Sequence, residues 1–198
     1  MLKIYNTLSK KIEDFIPIDK THIKIYVCGP TVYDKIHIGN ARPLVVFDTF
    51  VRLLKYKYPK VTYVRNITDV DDKINDRLIS EKITLKDLTD KTINDFQKDC
   101  TSLNNLYPDY EPRATEHISE MIKMIENLIL NEFAYLSKGH VLFNIKKFPE
   151  YGSLSNRTLD EMISGSRVEV ADYKINPGDF VLWKPSEQNI PGWESPWG

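Results

Sequence analysis

A chain of 198 residues with 41% hydrophobic and 28% charged side chains can bury a core and has an ordinary globular composition, which excludes intrinsic disorder. Its net charge of −1 supplies no global positive field, so any nucleic-acid partner would have to be met by a local patch. The opening MLKIYNTLSKKIEDF has no unbroken apolar run and is neither a signal peptide nor a membrane span. Cys28 and Cys100 are too few for a disulfide framework, which points to a reducing, cytoplasmic compartment with no membrane partner.

In chain order, Ile23, Ile25 and Val27 alternate with Lys24, Tyr26 and Cys28, which predicts a strand broken by Gly29 and Pro30. A loop then runs to about Arg42. Pro43 suits the first turn of a helix, where its missing N–H costs nothing. That helix carries Leu44, Phe47, Val51 and Leu54 on one face, with Val46, Phe50 and Leu53 beside them. So wide an apolar arc predicts burial on two sides. A second strand follows at 61–67, and Thr-Asp-Val-Asp-Asp begins where it ends. The order strand, helix, strand predicts a parallel βαβ unit, in whose sheet ligands bind beyond the carboxyl ends of the strands.

Further on the pattern is helical. Thr84 can cap a helix with Asp87 three residues later, and Pro108 and Pro112 mark a boundary. Another amphipathic helix is predicted from about Thr115 to Asn131. FAYLSKGHVLFNI reads as two strands around a Lys138–Gly139 turn. From Pro149 to Pro177 the chain is turn-rich, and DFVLWK restores order. The fold class expected is α/β: residues 1–112 as the first half of a nucleotide-binding domain, 113–177 as a small α+β insertion, and 178–198 returning towards the first part. The closing PSEQNIPGWESPWG has no cap or closing strand and reads as an interruption, with the three tryptophans packing that return into the core.

The segment C-G-P-T-V-Y-D-K-I-H-I-G-N, residues 28–40, joins a strand end to a helix start. His37 and Asn40 can donate to phosphate oxygens, Gly39 permits close approach of the backbone, and the helix N-terminus attracts anions. Such donors act where charge accumulates during nucleotidyl transfer. Neither a Walker A loop nor G-x-G-x-x-G is present. In isolation, His37 reads more readily as a loop histidine bonded to a carbonyl, and Cys28 as a small buried apolar residue at a strand end, the commonest fate of an unpaired cysteine. Thr68 reads equally as a polar contact for a ligand and as the cap of a helix beginning near Asp69. Asp69, Asp71 and Asp72 lack the glycine and glutamate of a calcium loop and are better explained as acids at a helix N-terminus.

H-I-G-N-A-R resembles the H-I-G-H signature of class I aminoacyl-tRNA synthetases. Its context, with Y-V-R-N-I-T-D-V-D-D-K-I, E-P-R-A-T, Y-G-S-L-S, N-P-G-D-F-V-L-W-K and S-P-W-G, resembles cysteinyl-tRNA synthetases over essentially the whole chain. The resemblance implies a Rossmann-like domain interrupted by a connective peptide. It also implies an enzyme that condenses cysteine with ATP, in the presence of magnesium, and passes the cysteine to tRNA(Cys). By the same likeness His37 and Asn40 are catalytic, His37, Gly39 and Asn40 bind ATP, and Gly29, Thr31 and Thr68 bind cysteine. Cys28 is one of four ligands of a single zinc ion, the other three lying beyond Gly198. The family's second signature histidine is Asn40 here, which keeps a donor but no charge. K-M-S-K-S is absent, so these 198 residues alone are expected to be inactive, and a monomer is expected. Two alternatives share the resemblance: a ligase joining cysteine to a small amine, and a non-enzymatic paralogue binding a nucleotide or partner.

Overall fold

The computed structural model describes residues 2–158, 161 and 171–198. It contains two compact units: Pro17–Ile118, and the residues up to Ile16 together with those from Ser119 onward.

In the first unit β3 (Ile23–Val27) lies parallel to β4 (Val61–Arg65), in the register Ile23↔Val61 to Val27↔Arg65; β1 (Lys3–Asn6) and β2 (Lys11–Asp14) precede them in the other unit. The crossover is α1 (Ile38–Lys57), which buries Ala41, Leu44, Asp48, Val51 and Leu54. Val27, Val51 and Tyr63 form one apolar cluster. Val32, Leu44, Ile67, Ile93, Phe96 and Cys100 form another. The predicted burial of α1 on two sides is not what the unit shows, for Val46 and Tyr56 are exposed and Phe47 is 38% exposed. Burial is confined to the stripe at the spacing 41, 44, 48, 51, 54; its Leu44 packs with Ile93, Phe96 and Cys100 of α3 (Leu85–Ser102), which follows α2 (Asp72–Glu81).

The helix also starts earlier than Pro43 suggested. His37 is its N-cap, so Pro43 sits in the second turn and cannot donate to the carbonyl of Gly39. The segment around the two prolines is a third, parallel edge of the sheet. The amide of Arg65 donates to the Tyr110 carbonyl at 3.1 Å, that of Ile67 to the Pro112 carbonyl at 2.9 Å, and that of Ala114 to the Ile67 carbonyl at 3.1 Å. A proline at an edge needs to offer only its carbonyl, which is what Pro112 does.

In the second unit β1 (Lys3–Asn6) and β2 (Lys11–Asp14) form an antiparallel hairpin. Beyond a short 3-10 turn at Ala114–His117 comes α4 (Ile118–Leu130). β5 (Ala134–Ser137), β6 (His140–Phe143) and β7 (Phe180–Trp183) make an antiparallel sheet in that order. Lys138 and Gly139 hold φ of 46° and 78°, the left-handed pair that a tight hairpin demands. This arrangement differs from the division expected at residues 112 and 177. Arg113 and Ala114 stay with the first unit by pairing beside Ile67, while β7 remains in the second by pairing with β6. Trp183 and Trp197 meet edge to face at 6.2 Å and pack on the cluster of Ile125, Ala134 and Val141, within the second unit. Of the turn-rich stretch 149–177, residues 159–160 and 162–170 lie outside the described residues.

Candidate active site

Both strands of the parallel pair end at one edge, and every site residue expected from the sequence lies in the segments that leave it. From 63 to 70 the chain keeps a period of two: Tyr63, Arg65, Ile67 and Asp69 are buried, while Val64, Asn66, Thr68 and Val70 are half-buried. Thr68 therefore stands on the open face, one strand away from the residues that follow β3. It forms an isolated parallel bridge with Thr31. The amide of Val32 donates to the Thr68 carbonyl at 3.0 Å, and the Thr68 amide to the Pro30 carbonyl at 3.1 Å.

Gly29 is fixed by the same neighbour. Its amide donates to Asn66 Oδ1 at 2.8 Å, and a Cβ on Gly29 would lie 1.6 Å from the Asn66 carbonyl oxygen, so no side chain fits there. Asn66 Nδ2 donates in turn to Thr68 Oγ1 at 3.1 Å. Cys28, just before Gly29, is exposed and unpaired with Cys100, so the reading of it as a buried apolar residue fails. Thr68 does not cap α2. That role belongs to Asp71, whose carboxylate accepts from the Lys73 amide at 2.9 Å, with Asp72 in the first turn.

Asp69 departs from the helix-terminus explanation. It is buried and accepts from the Thr115 amide at 2.9 Å and the Thr115 hydroxyl at 2.6 Å, tying the strand end to the segment after Pro112. Arg65 is its counterpart at 1% exposure. Its Nη2 donates to Glu111 at 2.8 Å, and its guanidinium carbon lies 4.9 Å from the centre of the Phe96 ring. Gln97 donates to the other Glu111 oxygen at 3.1 Å, which completes the carboxylate's partners. Burial pushes the Cys100 thiol above its ordinary value, against the opposing pull of the neighbouring Arg65 guanidinium, and that cysteine belongs to the core.

The second cluster is the N-terminus of α1. His37 Nδ1 accepts from the Gly39 amide at 3.0 Å, and Asn40 Oδ1 accepts from the His37 amide at 3.1 Å, a reciprocal capping box. Since Nδ1 accepts, the ring in this conformation carries its proton on Nε2, which has no partner among the described residues and can donate outward. Asn40 Nδ2 is likewise without a partner among the described residues. Gly39 is required by the cap itself, because a Cβ there would come within 2.7 Å of His37 Cε1. His37, Gly39 and Asn40 are thus brought together at one exposed helix end, with hydrogen-bond donors facing out. Among the described residues, no three His, Cys, Asp or Glu side chains gather closely enough to hold a metal ion, and no helix is long and apolar enough to cross a membrane.

A parallel strand edge beside a helix N-terminus whose donors face out is an arrangement that can receive an anion in proteins of the α/β class. The comparisons narrow the class. A solved structure from Campylobacter jejuni, described provisionally as an arginyl tRNA synthetase, shares the fold with a TM-score of 0.51 at 14% identity, covering 68% of this chain and 40% of that one. Residues 14–198 match the family of the class I (C) tRNA synthetase catalytic domain, and the chain belongs to that family. Curated relatives named cysteine–tRNA ligase include those of Rhodospirillum rubrum, 56% identical over 197 residues, and Paramagnetospirillum magneticum, 57% identical over 197 residues. The alignments cover 100% of this chain and 43% of each relative.

Sequence reasoning missed Asn66 and Arg65 and gave Asp69 the wrong role. A signal was present in all three cases, since continuing the period of two past Arg65 places Asn66 beside Thr68 on one face and both charged residues on the other.

Proposed function

We propose that this chain is the cysteine- and ATP-binding portion of a cysteine–tRNA ligase. The observation that carries the reading is the pairing of Thr31 with Thr68 beside the clasped Gly29, at the sheet edge from which the His37-capped helix departs. The relatives' names support cysteine as the amino acid and tRNA(Cys) as the acceptor.

In this reading the cysteine carboxylate attacks the α-phosphorus of magnesium-bound ATP, cysteinyl-adenylate forms and pyrophosphate leaves. A terminal ribose hydroxyl of tRNA(Cys) then attacks the cysteinyl carbonyl, forming the ester as AMP leaves. The chain's own residues position and stabilise. His37 donates from Nε2 and Asn40 from Nδ2 to phosphate oxygens, and Gly39 keeps the backbone close. Gly29, Thr31 and Thr68 hold the amino acid. Cys28, exposed at the strand end, fits one thiolate position of a zinc site. Such an ion supplies a soft Lewis acid for the substrate thiol, which favours cysteine over serine. The other ligands would come from outside the described residues. The Rossmann-like character of the first unit is supported by its parallel β3–α1–β4 crossover. An inserted connective-peptide module is supported by the clustering of the residues from Ser119 onward apart from the first unit, in a unit they share with Met1–Ile16.

The test is ATP–pyrophosphate exchange by the full-length gene product, with cysteine, with serine, and after chelation of zinc. Exchange with cysteine alone, lost on chelation, is the expected result. His37→Ala should lower kcat/KM by about 100-fold or more. Absence of exchange with any amino acid would overturn the reading.

A further inference from the structure

We infer that Asn66 is a positioning residue for the amino-acid substrate, acting through Gly29 and Thr68. The orientation of its amide is set by chemistry. The Gly29 amide can only donate, so the Asn66 atom 2.8 Å from it is the oxygen, and the atom facing Thr68 Oγ1 at 3.1 Å is the nitrogen. An amide nitrogen can only donate, so Thr68 Oγ1 accepts from it. The single hydroxyl proton of Thr68 is thereby turned away from Asn66. Thr68 is half-buried on the open face of the strand, and its backbone is already held by Pro30 and Val32. Its remaining freedom was rotation of the side chain and hydroxyl; Asn66 restrains the first and excludes its own direction from the second. The same side chain ties the two backbone stretches together by accepting from the Gly29 amide, while the main-chain carbonyl of residue 66, which does not depend on the side chain, fills the space that a Cβ on Gly29 would need. One residue thus sets both the distance between the strand-end loops and the polarity of the hydroxyl offered to a ligand between them. Preorganisation of this kind acts on binding without touching the substrate.

The inference rests on the reading of Gly29 and Thr68 as cysteine contacts. Asn66→Asp separates its two parts. The carboxylate still accepts from the Gly29 amide, but it cannot donate to Thr68, and it recruits the Thr68 hydroxyl as a donor pointing inward. In pyrophosphate exchange by the full-length gene product, Asn66→Asp should raise KM for cysteine by about tenfold and leave KM for ATP within about twofold. Thr68→Val should have a similar effect on cysteine. If Asn66 acts through Thr68, the double variant should resemble Thr68→Val alone, whereas independent effects would multiply to about 100-fold. Multiplication, or an equal rise in both KM values, overturns the inference. Thermal unfolding shows whether Asn66→Asp retains its fold. If it does not, Asn66→Ser carries the comparison, since it removes both the bond to Gly29 and the bond to Thr68: a rise in KM for cysteine with KM for ATP unchanged supports the inference, and wild-type KM for cysteine in Asn66→Ser or in Thr68→Val overturns it. A wild-type protein that exchanges with no amino acid refutes the cysteine reading itself, which is a separate outcome.

Discussion

The edge of the parallel sheet and the loop before β7 are built from equally conspicuous sequence, H-I-G-N in one and N-P-G-D-F in the other, and their polar groups do opposite things. At the sheet edge, backbone amides and carbonyls satisfy one another while His37 Nε2, Asn40 Nδ2 and the Cys28 thiol are left facing out. Before β7 everything turns inward. Asp179 is 1% exposed and accepts from the Tyr135 hydroxyl at 2.7 Å, the Asn176 amide at 2.9 Å and the Ile145 amide at 3.2 Å. The Tyr135 oxygen in turn accepts from the Ile175 amide at 2.8 Å. A motif's density of polar residues therefore says little about chemistry. What separates a site from a structural knot is whether donors and acceptors remain unpaired after folding.

The comparison breaks most severely at Gly29. Gly29→Ala places a Cβ 1.6 Å from a backbone oxygen, and the loop has no side chain that could give way there. Destabilisation of about 3 kcal/mol or more is expected, read by chemical denaturation, together with loss of exchange. A stable variant would show that the two strand ends are free to separate and that the clasp is not rigid.

The inward knot predicts a smaller effect with a pH signature. Burial raises the Tyr135 hydroxyl to about 12, with Asp179 as its neighbour adding in the same direction. The group's value is raised above the ordinary 10.0, so its contribution to stability is complete below pH 10 and is lost as pH rises through about 12. Tyr135→Phe should cost about 1–2 kcal/mol near neutral pH, because it removes a donor from a buried carboxylate. The gap between wild type and variant should close between pH 10 and 12, followed by circular dichroism. A gap constant to high pH would mean that the hydroxyl contributes nothing through its proton.

Much of this contrast was readable beforehand. Alternation at Ile23–Val27 and 61–67 gave both strands, and a long apolar helix between them required a parallel pair, which fixed the edge where the motifs meet. The Thr84 cap is present, its hydroxyl accepting from the Asp87 amide at 3.1 Å. The hidden parts share one cause, which is that they depend on partners distant in sequence. Residues 110–113 pair as a strand although they are few and include proline, because β4 offers them carbonyls and amides across 46 residues, as in Val64 with Tyr110. Arg65 and Asp69 look like surface charges until Glu111, Phe96 and Thr115 come to meet them. Pro43 drew the helix start to itself because the capping power of His37 lies in a ring nitrogen, which is not among the usual N-cap acceptors.

The finest test concerns Asn40, where this chain departs from the family signature. At the third position of α1 the side chain has one structural duty, to accept the His37 amide through Oδ1 at 3.1 Å. A neutral imidazole can accept through Nδ1 in the same place and still present Nε2–H to a phosphate, so the two residue types serve the cap and the ligand alike. They differ only in that histidine can become charged below about pH 6.5. Asn40→His should accordingly change unfolding free energy by no more than about 0.5 kcal/mol and the exchange rate at pH 8 by no more than about threefold. Below pH 6.5 the variant should gain on the wild type in KM for ATP, because a cation then faces the phosphates. A large loss at pH 8 would mean that the cap tolerates only the asparagine, and that the outward-facing donor is less independent of the fold than the geometry of the capping box implies.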